Sequence, residues 1–290
     1  MERLIYRSSD PGAGRHSPSL LQSLGLIIIG ILLFGILALP DYVYRSVEKS
    51  SAGQPVFNWQ EVEKGYAIGR YALGQPHEVL KAEVLLVRFD LRYFTLRMIT
   101  APAAGPQKSD LRTMTLSANG LAGINANFFD AQGAPLGLII QDGQLIHRLQ
   151  HGGRLLTGVF YVAGQKPHLV HRDHFSKLDA ECALQGGPLL IVDGKPMQIA
   201  DPKEQSRRSG IALTNRGEVI IFATFLRFPG AALEQIQQML LDPMLDISAA
   251  LNLDGGGSSQ LFVRKNPFSA DDTFITGGDL VPAGLVVQKR

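Results

Sequence analysis

The longest apolar run in the chain occupies residues 20–39, where only Gln22 and Ser23 are polar and no residue is charged. A helix rising about 1.5 Å per residue would carry these positions across about 30 Å, the thickness of a bilayer's hydrocarbon core. The run is apolar on every face, whereas a helix at the edge of a soluble core keeps one polar face. A cleaved secretory signal is the rival reading. It needs small residues at its cleavage site, and this run ends in Ile36-Leu37-Ala38-Leu39-Pro40. The expectation is therefore an uncleaved transmembrane anchor at 20–39. Arg3, Arg7 and Arg15 outnumber Glu2 and Asp10 before it, while Arg45 and Lys49 balance Asp41 and Glu48 after it. That bias makes residues 1–19 a cytoplasmic tail and puts the bulk of the chain on the periplasmic or extracellular side.

Residues 40–60 are polar and mixed, with Ser50-Ser51-Ala52-Gly53-Gln54-Pro55 among them, and read as a tether. Beyond it, from 61 to 290, short runs rich in branched and aromatic residues alternate with turn signals. Residues 79–89 and 93–99 flank Asp90-Leu91-Arg92, and 136–141 and 144–147 flank Asp142-Gly143. Residues 188–192 precede Asp193-Gly194, and 210–214 and 218–225 flank Asn215-Arg216-Gly217. Each reads as a hairpin, because Asp-Gly and Asn-x-Gly tolerate positive φ. Two helices are expected: 111–118, stopped by Asn119-Gly120, and 231–241, with Leu233, Ile236, Leu240 and Leu241 on one side. The fold class that follows is α+β, a β-rich mixed sheet with a few packed helices, preceded by one N-terminal transmembrane helix.

Composition narrows the chemistry. A formal charge of +2 and the lack of any basic run exclude nucleic acid as an expected partner. Cys182 is the one cysteine, so no intramolecular disulfide exists, and its apolar surroundings suit a core residue. His168, His171 and His174 recur at three-residue spacing, but on an extended stretch and a loop, where that spacing does not converge on a metal.

Four segments depart from this strand-and-turn grammar. Asn125 and Asn127 end an apolar strand one residue apart, followed by Phe128-Phe129-Asp130. Their amides either read sugar hydroxyls or cap the strand in local turns. Gln185-Gly186-Gly187-Pro188 permits close approach of a ligand to the backbone, or forms a bend. Arg208, at the mouth of the 210–214 strand, either grips a phosphate or is a surface charge. The sharpest segment is Asn252-Leu253-Asp254-Gly255-Gly256-Gly257-Ser258-Ser259-Gln260. A strand delivers Asp254 at its end. The three glycine amides can then form a concave anion nest, with Ser258 and Ser259 as hydroxyl donors.

Together INANFFD (124–130), QGGPLLIVDGK (185–195), RRSGIALTNRG (207–217) and ALNLDGGGSSQLFV (250–263) resemble the phosphodiester glycosidase family, the family of the uncovering enzyme that removes N-acetylglucosamine from phosphodiester-capped mannose. The resemblance spans about residues 80–288. It departs from the family at Ala126 and Asn127, where glycines are common, and at 279–284, where an expected arginine is replaced by a segment starting Asp279-Leu280. The resemblance implies a hydrolase that cleaves the C–O bond of a sugar-1-phosphodiester, in bacterial cell-envelope or exopolysaccharide metabolism, without a cofactor or metal. Asp254 is then the expected carboxylate at the anomeric carbon and Asp130 the second. Asn125, Asn127, Gln185, Gly186, Gly187, Arg208, Gly255, Gly256, Gly257, Ser258 and Ser259 are the expected substrate contacts. Whether Asp254 serves as base, nucleophile or acid stays open, because a neighbouring phosphate raises its pKa. A non-catalytic, membrane-anchored polysaccharide-binding module is the competing class; a metal-dependent phosphodiesterase is a third.

Overall fold

A computed structural model of the protein describes residues 57–74, 82–101, 108–176, 179–225 and 230–290. The anchor expected at 20–39, the tail before it and most of the tether lie outside these residues. Among the described residues no helix is long and apolar enough to cross a membrane. The folded unit begins earlier than position 61. Phe57 is buried, and Asn58–Glu63 is a strand paired with Tyr66–Ala72.

Among the described residues the domain is β-rich, with three larger sheets and two α-helices. Every strand pair is antiparallel, which corrects the expectation of a mixed sheet. Tight turns join some antiparallel neighbours, and long connections bring others together, as where Val219–Phe225 pairs with Glu83–Phe89. The largest sheet carries Glu83–Phe89, Val219–Phe225, Ser209–Thr214, Ile247–Asn252 and Leu189–Val192 side by side. Alternation sorts its two faces. Leu85, Val87 and Phe89 enter a central core with Met98, Ile124 and Leu285 from a second sheet and Phe160 and Leu184 from a third. Val84 and Leu86 point the other way, to a layer closed by Ile236 and Leu240 of the helix Leu233–Leu240. Both faces are therefore apolar, as a sheet buried between layers requires.

Three of the expected hairpins form: Ile139–Gln141 with Gln144–His147, Leu189–Val192 with Lys195–Pro196, and Ser209–Thr214 with Val219–Phe225. Asp142 adopts φ +51° and Asp193 φ +50°, as such turns need. The fourth does not. Glu83–Phe89 pairs with Tyr66–Ala72 and Val219–Phe225, while Phe94–Thr100 pairs with Ala283–Lys289 in another sheet. The Asp90 carboxylate accepts from the Arg92 backbone N–H at 2.8 Å and from its guanidinium, so this turn is a corner between sheets. The first helix runs Leu111–Ser117, capped by Asp110, and Asn119 at φ +54° ends it. Cys182 is buried in the core, and burial pushes its thiol up to about 12.

Candidate functional site

The strand Ile247–Asn252 lies inside the largest sheet and ends where that sheet meets the second one. Asp254 follows two residues later, and the frame around it is built from side chains far away in sequence. Its carbonyl accepts from Asn125 Nδ2 and from Ser209 Oγ, both at 2.8 Å. Asn125 Oδ1 in turn accepts the N–H of Gln260 at 2.9 Å. One fully buried amide thereby fixes both ends of the loop 254–260. Gly256–Ser258 forms a single 3-10 turn.

The Asp254 carboxylate itself is half-buried. Ser258, the Gly255 N–H and the cation of Lys108 all lie near enough to favour its charged form. Burial is the larger influence and, with the negative charge of Asp279, lifts the carboxyl from its ordinary 3.8 to about 6. Asp279 rests directly on the glycine loop: a Cβ at Gly257 would overlap its carboxylate, and its N–H donates to Gly257 O at 3.0 Å. Lys108 Nζ lies 4.0 Å from the centroid of the Phe129 ring.

Arg208 is buried at the rim of this frame. Its Nε donates to Ala231 O at 3.1 Å and Nη2 to Glu204 O at 2.5 Å. Nη1 has no acceptor among the described residues and lies 3.9 Å from where a Cβ of Gly255 would stand. Burial lowers the guanidinium's pKa, with Glu204 opposing, yet an arginine keeps its charge at any relevant pH. The arrangement therefore holds one carboxylate of raised pKa, with the guanidinium beside the loop that follows it. Such a pair can attend a carbon centre and an anionic leaving group.

The family model for phosphodiester glycosidases matches residues 118–288, more than half of the chain. The chain belongs to the phosphodiester glycosidase family. It is 29% identical over 136 residues to the uncharacterized protein YigE of Escherichia coli, covering 41% of this chain and 54% of that one. The chain thus spans about half the length of that curated relative. Its fold resembles the catalytic domain of zebrafish N-acetylglucosamine-1-phosphodiester alpha-N-acetylglucosaminidase, auto-inhibited there by its pro-peptide. The TM-score is 0.59 at 18% identity, over 83% of this chain and 86% of that one. A hypothetical protein from Synechocystis gives a TM-score of 0.57 at 17% identity, over 83% of this chain and 65% of that one.

The four unusual segments of the sequence lie beside one another here, but most of their polar groups serve as scaffold. Asn127 is buried, and its Nδ2 lies within 3.0–3.2 Å of the carbonyls of Leu136, Leu138 and Gln185. Gln185, fully buried, accepts from the N–H groups of Leu138 and Gln150 and donates to the carbonyls of Gln150 and Leu156. The amides expected to read a sugar are thus largely engaged with backbone, Asn127 Oδ1 alone having no hydrogen-bond partner among the described residues. Gly186 and Gly187 do admit a close approach, but of the protein's own chain. A Cβ at Gly186 would press on Asn252 O, and one at Gly187 would overlap Leu155 O.

The expected anion nest is partly occupied by the protein itself. The Gly256 N–H donates to Arg207 O at 2.9 Å, so this amide of the loop is engaged within the protein. Ser259 is fully buried, and its Oγ has no partner among the described residues. Asp130 accepts from the N–H groups of Gln132 and Ala134 and so ties its own turn. The carboxylate that acts on Asp254 is instead Asp279, which sequence reasoning missed. Its signal was the triplet Gly277-Gly278-Asp279, glycines beside an acid again. Lys108 carried no such signal. Among the described residues no three His, Cys, Asp or Glu side chains cluster as metal ligands, and His168 stacks on Tyr161 with centroids 4.7 Å apart.

Proposed function

We propose that the protein is a hydrolase cleaving the glycosidic C–O bond of a sugar-1-phosphodiester, with Asp254 as the carboxylate at the anomeric carbon. What supports this is the half-buried Asp254 carboxylate next to a loop flanked by the Arg208 guanidinium, with its backbone carbonyl held by Asn125 and Ser209 and its pKa raised to about 6. Above that pH it is ionised and suited to act as base or nucleophile toward an oxocarbenium-like centre. A phosphodiester is already a good leaving group, so it needs its charge held more than it needs a proton. Arg208 Nη1 and Lys108 supply that charge. Asp279 keeps the carboxylate poised rather than fully ionised.

The zebrafish N-acetylglucosamine-1-phosphodiester alpha-N-acetylglucosaminidase of similar fold supports the bond assignment and makes methyl N-acetylglucosamine-1-phosphate the first substrate to try. Asp254→Asn is expected to abolish its turnover while the far-UV spectrum stays native. In labelled water the new oxygen should appear on the sugar; label on phosphate would defeat the C–O assignment. The kcat/KM profile should rise with pH through about 6 and then level; a fall through that range would make Asp254 the acid. A pure polysaccharide-binding module has less support, because two of the amides it would use, Asn125 and Gln185, are occupied by backbone.

The cellular setting extends the same reading. Residues 20–39 would anchor the chain, leaving the enzyme on the periplasmic or extracellular face to act on envelope or exopolysaccharide phosphodiesters. Protease added to intact spheroplasts should then cleave the domain; protection until lysis would reverse the orientation.

A further inference from the structure

One concavity has a lining that does not include Asp254. It has a volume of about 540 Å³, within the rough 300–1,000 Å³ range of small-molecule sites. It opens between the end of the edge strand Lys166–His171 and the hairpin Leu189–Val192 with Lys195–Pro196. Neither Asp254, Asp279, Lys108 nor the glycine loop lines it.

Its chemistry is lopsided. Arg154, His171 and Arg172 line it, and no Asp or Glu does. Arg172 is 9% exposed, and its Nη1 and Nη2 donate to the carbonyls of Gly152, Leu156 and Gly153. Those bonds fix the guanidinium in the wall, and its buried Nε has no hydrogen-bond partner among the described residues. The nearest acid is Asp173, exposed, with Oδ1 3.8 Å from Arg172 Nε and Oδ2 3.3 Å from His171 Nδ1. His171 Nδ1 is thus engaged, and Nε2 remains for a ligand. Thr157 Oγ1 accepts the N–H of Leu189 at 2.9 Å, so its own proton is available to donate. Leu189 and Ile199 form an apolar wall, with the Gln198 amide beside them. A fixed cation, hydroxyl and amide donors and an apolar wall suit a pyranose ring bearing a negative group.

We propose that this cavity binds an anionic glycosyl residue, phosphorylated or carboxylated, separately from any chemistry at Asp254. Isothermal titration of the full chain with glucose 1-phosphate, glucuronate and glucose tests it. At least one anion should bind saturably, with glucose weaker by about tenfold or more, the effect of losing one charge-assisted contact of about 1.5–3 kcal/mol. Glucose 1-phosphate alone would identify a phosphoryl group, and glucuronate alone a carboxylate. Arg154→Ala and His171→Ala each remove a rim side chain without touching the buried Arg172, and each should weaken anion binding about tenfold. Asp254→Asn should still bind, so a failed catalytic reading and a failed cavity are told apart. The proposal is overturned by absent binding, by equal affinity for glucose, or by affinity indifferent to Arg154 and His171.

Discussion

Replacing Asp254 with asparagine should make the protein more stable, and only above a certain pH. The folded carboxyl sits at about 6 against an ordinary 3.8, because burial and Asp279 outweigh Ser258, Gly255 and Lys108. The folded state therefore binds more protons than the unfolded one between those two values, and stability falls as pH rises through that window. Below about 4 the residue is neutral in both states and costs nothing. Above about 7 the full penalty applies. At 1.36 kcal/mol per pKa unit its ceiling is about 3 kcal/mol, and solvent at the mouth of the site reduces this to roughly 1–2 kcal/mol. Asparagine keeps an acceptor for Ser258 and Gly255 but cannot ionise. Asp254→Asn should thus exceed the parent by about 1–2 kcal/mol at pH 8, raising Tm by roughly 2–8 °C for a domain of this size. Near pH 4 the difference should vanish. Urea and thermal melts followed by circular dichroism at pH 4, 6 and 8 measure the gap. A variant less stable than the parent at every pH, or a gap that widens on acidification, would refute the electrostatic account.

Three further substitutions probe the frame. Gln185→Leu strands the buried Leu138 N–H and Leu156 O, while the exposed Gln150 backbone turns to water, and at about 1–3 kcal/mol per stranded buried group it should cost roughly 2–6 kcal/mol in a denaturant titration. Gly257→Ala drives a methyl into the Asp279 carboxylate and should cost about 1–3 kcal/mol, most of which Asp279→Ala in the same chain should restore; a double-mutant cycle without coupling would contradict the packing. Arg208→Lys gives up the planar fork that bonds Ala231 O and Glu204 O while presenting Nη1, and should lower kcat/KM for a glycosyl phosphodiester about 100-fold with the fold intact.

What the sequence revealed and what it concealed divide along the range of the interactions involved. The hairpins at Asp142-Gly143 and Asp193-Gly194 were legible because a turn is decided by the residues in it. The same logic failed at Asp90-Leu91-Arg92, where the next strand joins a different sheet, a choice that the turn does not make. The strand-end amides were visible as unusual, but their partners were not. Asn125 serves residues 254 and 260, and Gln185 serves 138, 150 and 156. Asp279 was hidden for the same reason, since its effect on Asp254 depends on a loop that packs onto Gly257.

This division explains why the segment around Asp254 carries so much glycine, serine and amide and so little obvious reactivity. Two sheets meet there, and the backbone at their seam has no ladder neighbour to satisfy it. Asn125, Ser209 and Asn252 supply the missing donors: Asn252 Nδ2 reaches Gly187 O at 2.9 Å and Leu253 O at 2.8 Å. Glycines keep the crossing chains close enough for that. The seam is thus held by groups engaged with one another, and under the proposed function the charged groups left to act are Asp254, Arg208, Lys108 and Asp279. A clean separation of phenotypes follows. Disturbing the frame should lower stability and activity together, whereas neutralising Asp254 should raise one while abolishing the other.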